Sequence, residues 1–235
     1  THGYGYYKEF RYQNKTKKFG LDYPFNGTVK KSDFVRKKGL EQDTYGLLWN
    51  ANYKGHGMDL LGGISLQQFA GNHFGELTYI SNEDLRNHYM NDGKPYSYYD
   101  SDADKGDYSA YLKGTFTLTK GLEAFADLQY RHVMYKLQDP NDEYGSNADG
   151  KYIYKDNFDF FNPKFGVNYD ITPNHQVYVS YAISHREPTR TNYKDYASNG
   201  ISYPKAERLN DLELGYTFRS PKFSAGINLY WMDYD

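Results

Sequence analysis

The sequence predicts an all-β fold, an antiparallel transmembrane β-barrel segment, on three observations. Apolar and polar residues alternate with a period of two along many segments. Those segments are joined in strict rotation by short turns and long polar connections. The composition also suits strands and turns: 28 Tyr, 14 Phe and 22 Gly occur among 235 residues, yet the mean hydropathy is −0.92.

The elements follow from the alternation. Tyr4 to Tyr12 reads as an opening strand. In Asp107 to Leu118, Tyr108, Ala110, Leu112, Gly114, Phe116 and Leu118 point one way, and Ser109, Tyr111, Lys113, Thr115 and Thr117 the other. Its partner from Leu122 puts Leu122, Ala124, Ala126, Leu128 and Tyr130 on one face and Glu123, Asp127, Gln129 and Arg131 on the opposite one, interrupted by Phe125. Thr119-Lys120-Gly121 joins the two. The same unit recurs three times. Tyr45–Lys54 meets Met58–Phe69 at Gly55-His56-Gly57. Asn162–Asp170 meets Gln176–His185 around Ile171-Thr172-Pro173-Asn174, and Asp211–Arg219 meets Phe223–Trp231 at Ser220-Pro221-Lys222. With the opening strand this makes about nine strands.

The other connections are expected to run from Asn14 to Thr44, Ala70 to Gly106, Gln138 to Asn157 and Arg186 to Glu207. Four long connections on one edge of a sheet, opposite short turns on the other, describe an outer-membrane barrel. In lipid every backbone polar group must pair, so a β-protein has to close on itself. Strands of about 10 residues cross the hydrocarbon when tilted. Tyr45, Tyr53, Tyr108, Tyr169, Tyr216 and Trp231 fall near strand ends, where an amphipathic ring suits the interface. Thr1 begins no signal peptide, and both ends read as cuts from something longer.

Several classes are excluded. Cysteine is absent, which removes disulfides, thiolate zinc and cysteine nucleophiles. With 28 basic and 30 acidic residues nothing points to nucleic acid. No run approaches the ~20 apolar residues of a membrane helix. Neither G-x-S-x-G nor H-E-x-x-H occurs, so no enzyme is expected.

The chain resembles the barrel of TonB-dependent outer-membrane receptors, particularly those of Bacteroidetes-type bacteria. The tracts that carry this are Ala70-Gly71-Asn72-His73-Phe74-Gly75, Asp127-Leu128-Gln129-Tyr130-Arg131, Phe161-Asn162-Pro163-Lys164-Phe165-Gly166, and Tyr178-Val179-Ser180-Tyr181 with Arg186-Glu187-Pro188-Thr189-Arg190. Pro204-Lys205-Ala206-Glu207 and Asp211-Leu212-Glu213-Leu214-Gly215-Tyr216 complete the order. The resemblance implies a barrel of ~22 strands around a plug, with residues 1–235 as a partial barrel domain truncated at both ends. It implies outer-membrane lipid around the barrel, the plug of the same chain, an imported small-molecule ligand, and a TonB-type energising protein reached through an N-terminal region outside this sequence. Siderophore, haem or another chelate is the ligand class it suggests, and no resident cofactor is called for. A passive porin, an adhesin barrel or a soluble carbohydrate-binding sheet is the rival reading.

Candidate ligand- or plug-facing residues are Arg186, Glu187, Arg190, Arg131 and His73. Arg186, Glu187 and Arg190 leave a strand toward the long-loop side. They read either as a cluster facing plug or ligand, or as a rim salt-bridge network with Pro188 ending the strand. His73 is expected in a turn, Asn72-His73-Phe74-Gly75, and the histidines show no metal-ligand spacing. Lys113, Thr115, Glu123, Asp127, Gln129, Lys164, Asn168, Asp211, Glu213 and Arg219 are expected to face a polar lumen. Asp100 to Asp107 superficially resembles a calcium loop, but its glycine is late and Tyr111 stands in place of the closing Glu, so a solvated acidic loop is expected. Asp139 to Asp149 reads likewise. Lys15 to Lys18, Lys30, Lys31, Arg36, Lys37 and Lys38 make the first long connection basic, suited to an anionic substrate or lipid phosphate, or simply solvated.

Overall fold

The computed structural model describes residues 1–21, 29–138, 152–199 and 202–235, with backbone alone for Tyr152, Ile153, Ser198 and Asn199. Among the described residues nine strands form one sheet: β1 (His2–Lys15), β2 (Lys31–Gly55), β3 (Met58–Ile80), β4 (Tyr96–Thr119), β5 (Leu122–Gln138), β6 (Tyr152–Thr172), β7 (His175–Arg186), β8 (Glu207–Arg219) and β9 (Ser224–Tyr234). They pair antiparallel in chain order, so every connection is a hairpin or a loop between neighbours. Two short helices, α1 (Glu83–Tyr89) and α2 (Arg190–Asn199), lie in the long connections. No helix of the described residues is long and apolar enough to cross a membrane.

The short turns are tight. Gly55 pairs with Met58, leaving His56 (φ 52°) and Gly57 (φ 73°) as a two-residue loop with both residues left-handed. That backbone matches the twist of the flanking strands. Thr119 pairs with Leu122 and Thr172 with His175, each pair beside a register shift that absorbs one residue. At β8–β9, the Ser220 amide donates to the Phe223 carbonyl at 2.7 Å.

Register assigns the faces. Leu61, Lys113, Asp127, Lys164, Ala182 and Asp211 are successive partners across β3 to β8 and therefore share one face. The next row down alternates to the other face and runs Leu60, Gly114, Ala126, Phe165, Tyr181, Leu212, Trp231. The expected lumenal set thus falls together on the polar face. On the other, Leu47, Trp49, Leu112, Phe161, Leu214, Ile227 and Leu229 are exposed, with no second sheet over them.

The strands exceed the expected ones on the long-loop side. Residues 31–44, 70–80, 96–106 and 152–157, read as loop from the sequence, belong to β2, β3, β4 and β6. Past the apolar belt charged and polar residues occur on both faces, so hydrophobic alternation fades while backbone pairing continues. Three expectations are corrected with it. His73 lies within β3, paired with Leu40 and Ser101, and is not in a turn. Asp100 to Asp107 is a stretch of β4 whose side chains alternate between faces, so it is neither a calcium loop nor a solvated loop. Of the basic residues, strand pairing sends Arg36 and Lys38 to the polar face and Lys37 to the other; Lys15 to Lys18, Lys30 and Lys31 keep to the strand ends and the loop. Asp139 to Asp149 lies outside the described residues.

Burial is concentrated at the long-loop end. One cluster packs Phe19, Leu21, Phe34, Leu77, Ile80, Leu85 and Met90 beneath α1 and the turn at Thr16–Phe19. Asn82 caps α1 by accepting from the Leu85 amide at 3.0 Å. A second cluster joins Ala103, Leu137 and Tyr154 to Tyr193 of α2.

On the polar face, rings lie over glycines of the neighbouring strand. Gly63, Gly166 and Gly215 pair directly with Tyr111, Phe125 and Tyr178. A Cβ on Gly166 would stand 2.4 Å from the Phe125 ring and 2.8 Å from the Val179 carbonyl oxygen. This explains why Phe125 breaks the polar run of β5: its ring occupies the space above Gly166.

Two outcomes are expected. Leu214→Arg, midway along the apolar face, should destabilise the barrel by about 2–4 kcal/mol in a bilayer, whereas Asn228→Arg on the opposite face should cost less than about 1 kcal/mol. Urea-induced unfolding of the full-length protein in liposomes measures both. Gly166→Val should cost about 2 kcal/mol or more by forcing Phe125 off its seat, read by loss of heat-modifiable mobility on gels at a lower temperature.

Candidate functional site

The chain leaving β7 does not continue upward but folds back over the polar face. Glu187, the first residue past β7, reaches across β6 to β5 and β4. Arg131 Nη1 and Nη2 donate to the two Glu187 carboxylate oxygens at 2.9 and 3.1 Å, and Arg131 Nε donates to Asp107 at 2.9 Å. Lys105 Nζ donates to the same Glu187 carboxylate. Glu187 is therefore held by a two-pronged guanidinium and an ammonium, a geometry that fixes direction as well as charge. Its side chain is only 11% exposed. Burial pushes the Glu187 carboxyl up, but hydrogen bonds from Lys105, its own backbone and Arg131 outweigh this and hold it down to about 2.

Beyond this clamp, Pro188 is buried and Thr189 opens α2. Asn192 accepts from the Thr189 amide at 2.8 Å and from its hydroxyl at 2.6 Å, closing the first turn. Arg190 Nη2 donates to Ser101 Oγ of β4 at 2.7 Å, and Ser101 donates on to the Gln138 carbonyl. One turn later Tyr193 is fully buried, its ring 5.0 Å from that of Tyr154 and 5.5 Å from Tyr135. Its hydroxyl and that of Tyr203 both donate to Asp156 at 2.6 Å. Burial, then the Asp156 hydrogen bond, raises the Tyr193 phenol well above its ordinary value. Residues 187–193 thus form a strap pinned at three points: ionic at Glu187, polar at Arg190, aromatic at Tyr193.

Four of the five candidate residues belong to the strap or to the polar face that it crosses. Arg131 and Glu187 form the clamp, while Arg190 and His73 line an open cavity of about 480 Å³ on the same face. Arg186 does not join them: its guanidinium pairs with Glu207 at 2.7 Å at the exposed β7–β8 edge. Among the described residues no group of three or more His, Asp or Glu is placed to hold a metal ion.

The model of the family described as "TonB dependent receptor-like, beta-barrel" matches residues 1–235. The chain belongs to that family. None of the curated proteins matches the sequence. Among solved structures, the receptor barrel is similar to the copper transporter OprC (TM-score 0.67, 13% identity, 98% of this chain and 34% of that one). It is also similar to the ferric yersiniabactin uptake receptor FyuA from Yersinia pestis (0.56, 15%, 86% and 30%) and the FrpB iron transporter from Neisseria meningitidis (0.54, 19%, 98% and 33%). At these identities the likeness is one of fold. The chain spans about a third of the length of these structures. Members of the family are outer-membrane receptors and transporters.

Several residues of the receptor barrel's site were not singled out from the sequence. Lys105, Asp107 and Ser101 sit in what reads as an acidic loop. Their signal was parity: Ser101, Ala103, Lys105 and Asp107 continue the odd-numbered frame of Ser109, Tyr111 and Lys113. Tyr193 and Asp156 carry no such signal, because their contact depends on how the strap folds.

The linkage gives a pH test. The Glu187 carboxyl is depressed below its ordinary value of 4.5, so its contribution is complete above about pH 4.5 and is lost as pH falls through about 2. Hydrogen exchange of 187–193 should stay slow from pH 7 to 5, and strap protection should fail at lower pH. Glu187→Gln should leave Arg131 with Asp107 alone, strip Lys105 of its closest carboxylate and weaken the strap by about 2 kcal/mol at pH 7, with faster exchange of those amides from pH 7 to 5.

Proposed function

We propose that this chain is a segment of an outer-membrane active transporter for a scarce small ligand, a siderophore, haem or another chelate, energised by a TonB-type partner. One observation carries the reading. The sheet has an uncovered apolar face on one side and, on the other, a polar face over which a loop is pinned by buried charge. An apolar outer band with a polar inner wall suits lipid outside and water, plug or cargo inside. A loop folded onto that wall narrows the path, as a selective receptor requires and an open pore does not. The family match supports the same reading, and the metal-related names of the similar structures favour a metal chelate as cargo. Within it, the clamp residues Arg131 and Glu187 position the strap, and Arg190 and His73 face the ligand path.

The test uses the full-length gene. A deletion strain should lose growth on a chelated metal source at limiting concentration and keep growth on an excess of the free metal. A strain lacking the energising protein should show the same loss. Uptake that persists without that protein would make the barrel a passive pore and overturn the proposal.

A further inference from the structure

The outward face of the sheet carries a column of charge that neither the strap nor the polar face uses. On β1 and β2, Lys8 lies directly opposite Lys37, and Lys15 directly opposite Lys31. Like charges at opposed positions destabilise a ladder, so each pair calls for an anion. Lys37 has one, its Nζ lying 3.2 Å from Glu76. Lys8, Lys15 and Lys31 make no ion pair among the described residues, and neither do Lys17, Lys18 and Lys30 of the adjoining turn. Asp33, the carboxylate between the two pairs on β2, is turned to Gln13, whose amide and side chain donate to it at 2.8 and 3.2 Å. Exposed rings alternate with the lysines: Tyr6 and Phe10 flank Lys8 on its face, and Tyr12, 75% exposed, stands at the bulge before Lys15. The turn itself is fixed. Thr16 is buried, its amide donates to the Lys30 carbonyl and its hydroxyl to the Val29 carbonyl, each at 3.1 Å, and the Phe19 ring packs 4.8 Å from that of Phe34. Height then selects the partner. Beyond Tyr45 the outward positions of β2 run Asp43, Glu41, Gly39 and Lys37. A strand rising ~3.3 Å per residue and tilted by about 40° puts Lys37 roughly 20 Å above the apolar belt, and Lys31 higher still. Phospholipid headgroups add only about 5–7 Å to each side of the hydrocarbon, so a lipid that meets this column has a tall head.

We propose that this column docks the phosphorylated saccharide head of an outer-leaflet glycolipid, its phosphates against Lys8, Lys15 and Lys31 and its sugar rings on Phe10 and Tyr12. Phosphate takes charge-assisted hydrogen bonds from ammonium groups, and a sugar lays its C–H face on an aromatic ring. One occupant thus answers both features: its charge relieves the opposed lysines, and its rings cover apolar area that faces sideways. The scaffold of the turn holds the lysines in place beforehand, so little ordering is left for docking to supply. The column looks along the membrane and away from the polar face, so imported cargo does not pass it. The proposal therefore goes beyond the transport reading; it needs the outer-membrane placement but not the cargo.

The experiment uses the purified full-length receptor in detergent micelles with three fluorescent probes: lipopolysaccharide with phosphate on its core sugars, the same glycolipid after those phosphates are removed, and phosphatidylglycerol. The phosphorylated glycolipid should bind most tightly, and its affinity should fall as salt is raised. Lys8→Gln and Lys31→Gln should each weaken it about fivefold, and together about thirtyfold, as loss of one and two lysines near an anionic surface does. Lys120→Gln, in the short turn at the opposite edge of the sheet, should leave binding unchanged. Phe10→Ala should weaken the phosphorylated and dephosphorylated glycolipid by the same factor. Heat-modifiable mobility confirms that each variant is a folded barrel. Equal binding of the dephosphorylated glycolipid or of phosphatidylglycerol would overturn the docking surface. So would displacement by inorganic polyphosphate at equal phosphate concentration, or indifference to the paired lysine substitution. Cargo uptake is read separately in cells, so a failure here leaves the transport reading standing.

Discussion

Because no second sheet packs on either face among the described residues, the pairing of each strand with its neighbours is the constraint on which the remaining structure depends. A globular domain sets its register by burying one face, and a one-residue slip then exposes the core. Here burial is concentrated at the long-loop end, where Phe34, Leu77 and Ile80 close one cluster and Leu137 and Tyr193 another. Below those clusters, the backbone ladder and the contrast between faces hold the alignment. The row Lys113, Asp127, Lys164, Asp211 and the row Ala126, Phe165, Leu212, Trp231 exist only because five successive pairings keep step. Tight turns at Gly57 and Gly121, both left-handed, set that step at the start of each hairpin.

The strap uses a different physics. Its first anchor is a carboxylate removed from water and returned three charged donors, Arg131 twice and Lys105 once. Buried ionic groups of this kind are costly to strip and costly to leave half paired, so they favour one geometry over its neighbours more than they add net stability. The aromatic anchor at Tyr193 supplies the apolar area, and Asp156 ties off two phenols that would otherwise lack acceptors. Together they make a loop behave as part of the wall.

The sequence carried the hairpins and their faces plainly, since period-two alternation is strongest where one side meets an apolar medium. It carried the upper strands poorly. His73 and Asp100 to Asp107 lie where polar residues occur on both faces, and there alternation in polarity no longer reports alternation in direction. Arg131 stood out by its place in the inward set, and Glu187 and Arg190 by following a strand end. Their meeting could not be read, because it depends on a chain reversal after Arg186 that carries residues across three strands. Phe125 looked like a flaw in the pattern until Gly166 supplied the other half.

Those ring-on-glycine contacts also shape the relief of the polar face. A tyrosine or phenylalanine that stands upright on a barrel wall takes up width in the channel. Tyr111, Phe125 and Tyr178 instead recline in notches left by Gly63, Gly166 and Gly215. The polar face stays low in relief there, and its aromatic area lies along the sheet. Bulk is stored sideways, in the wall.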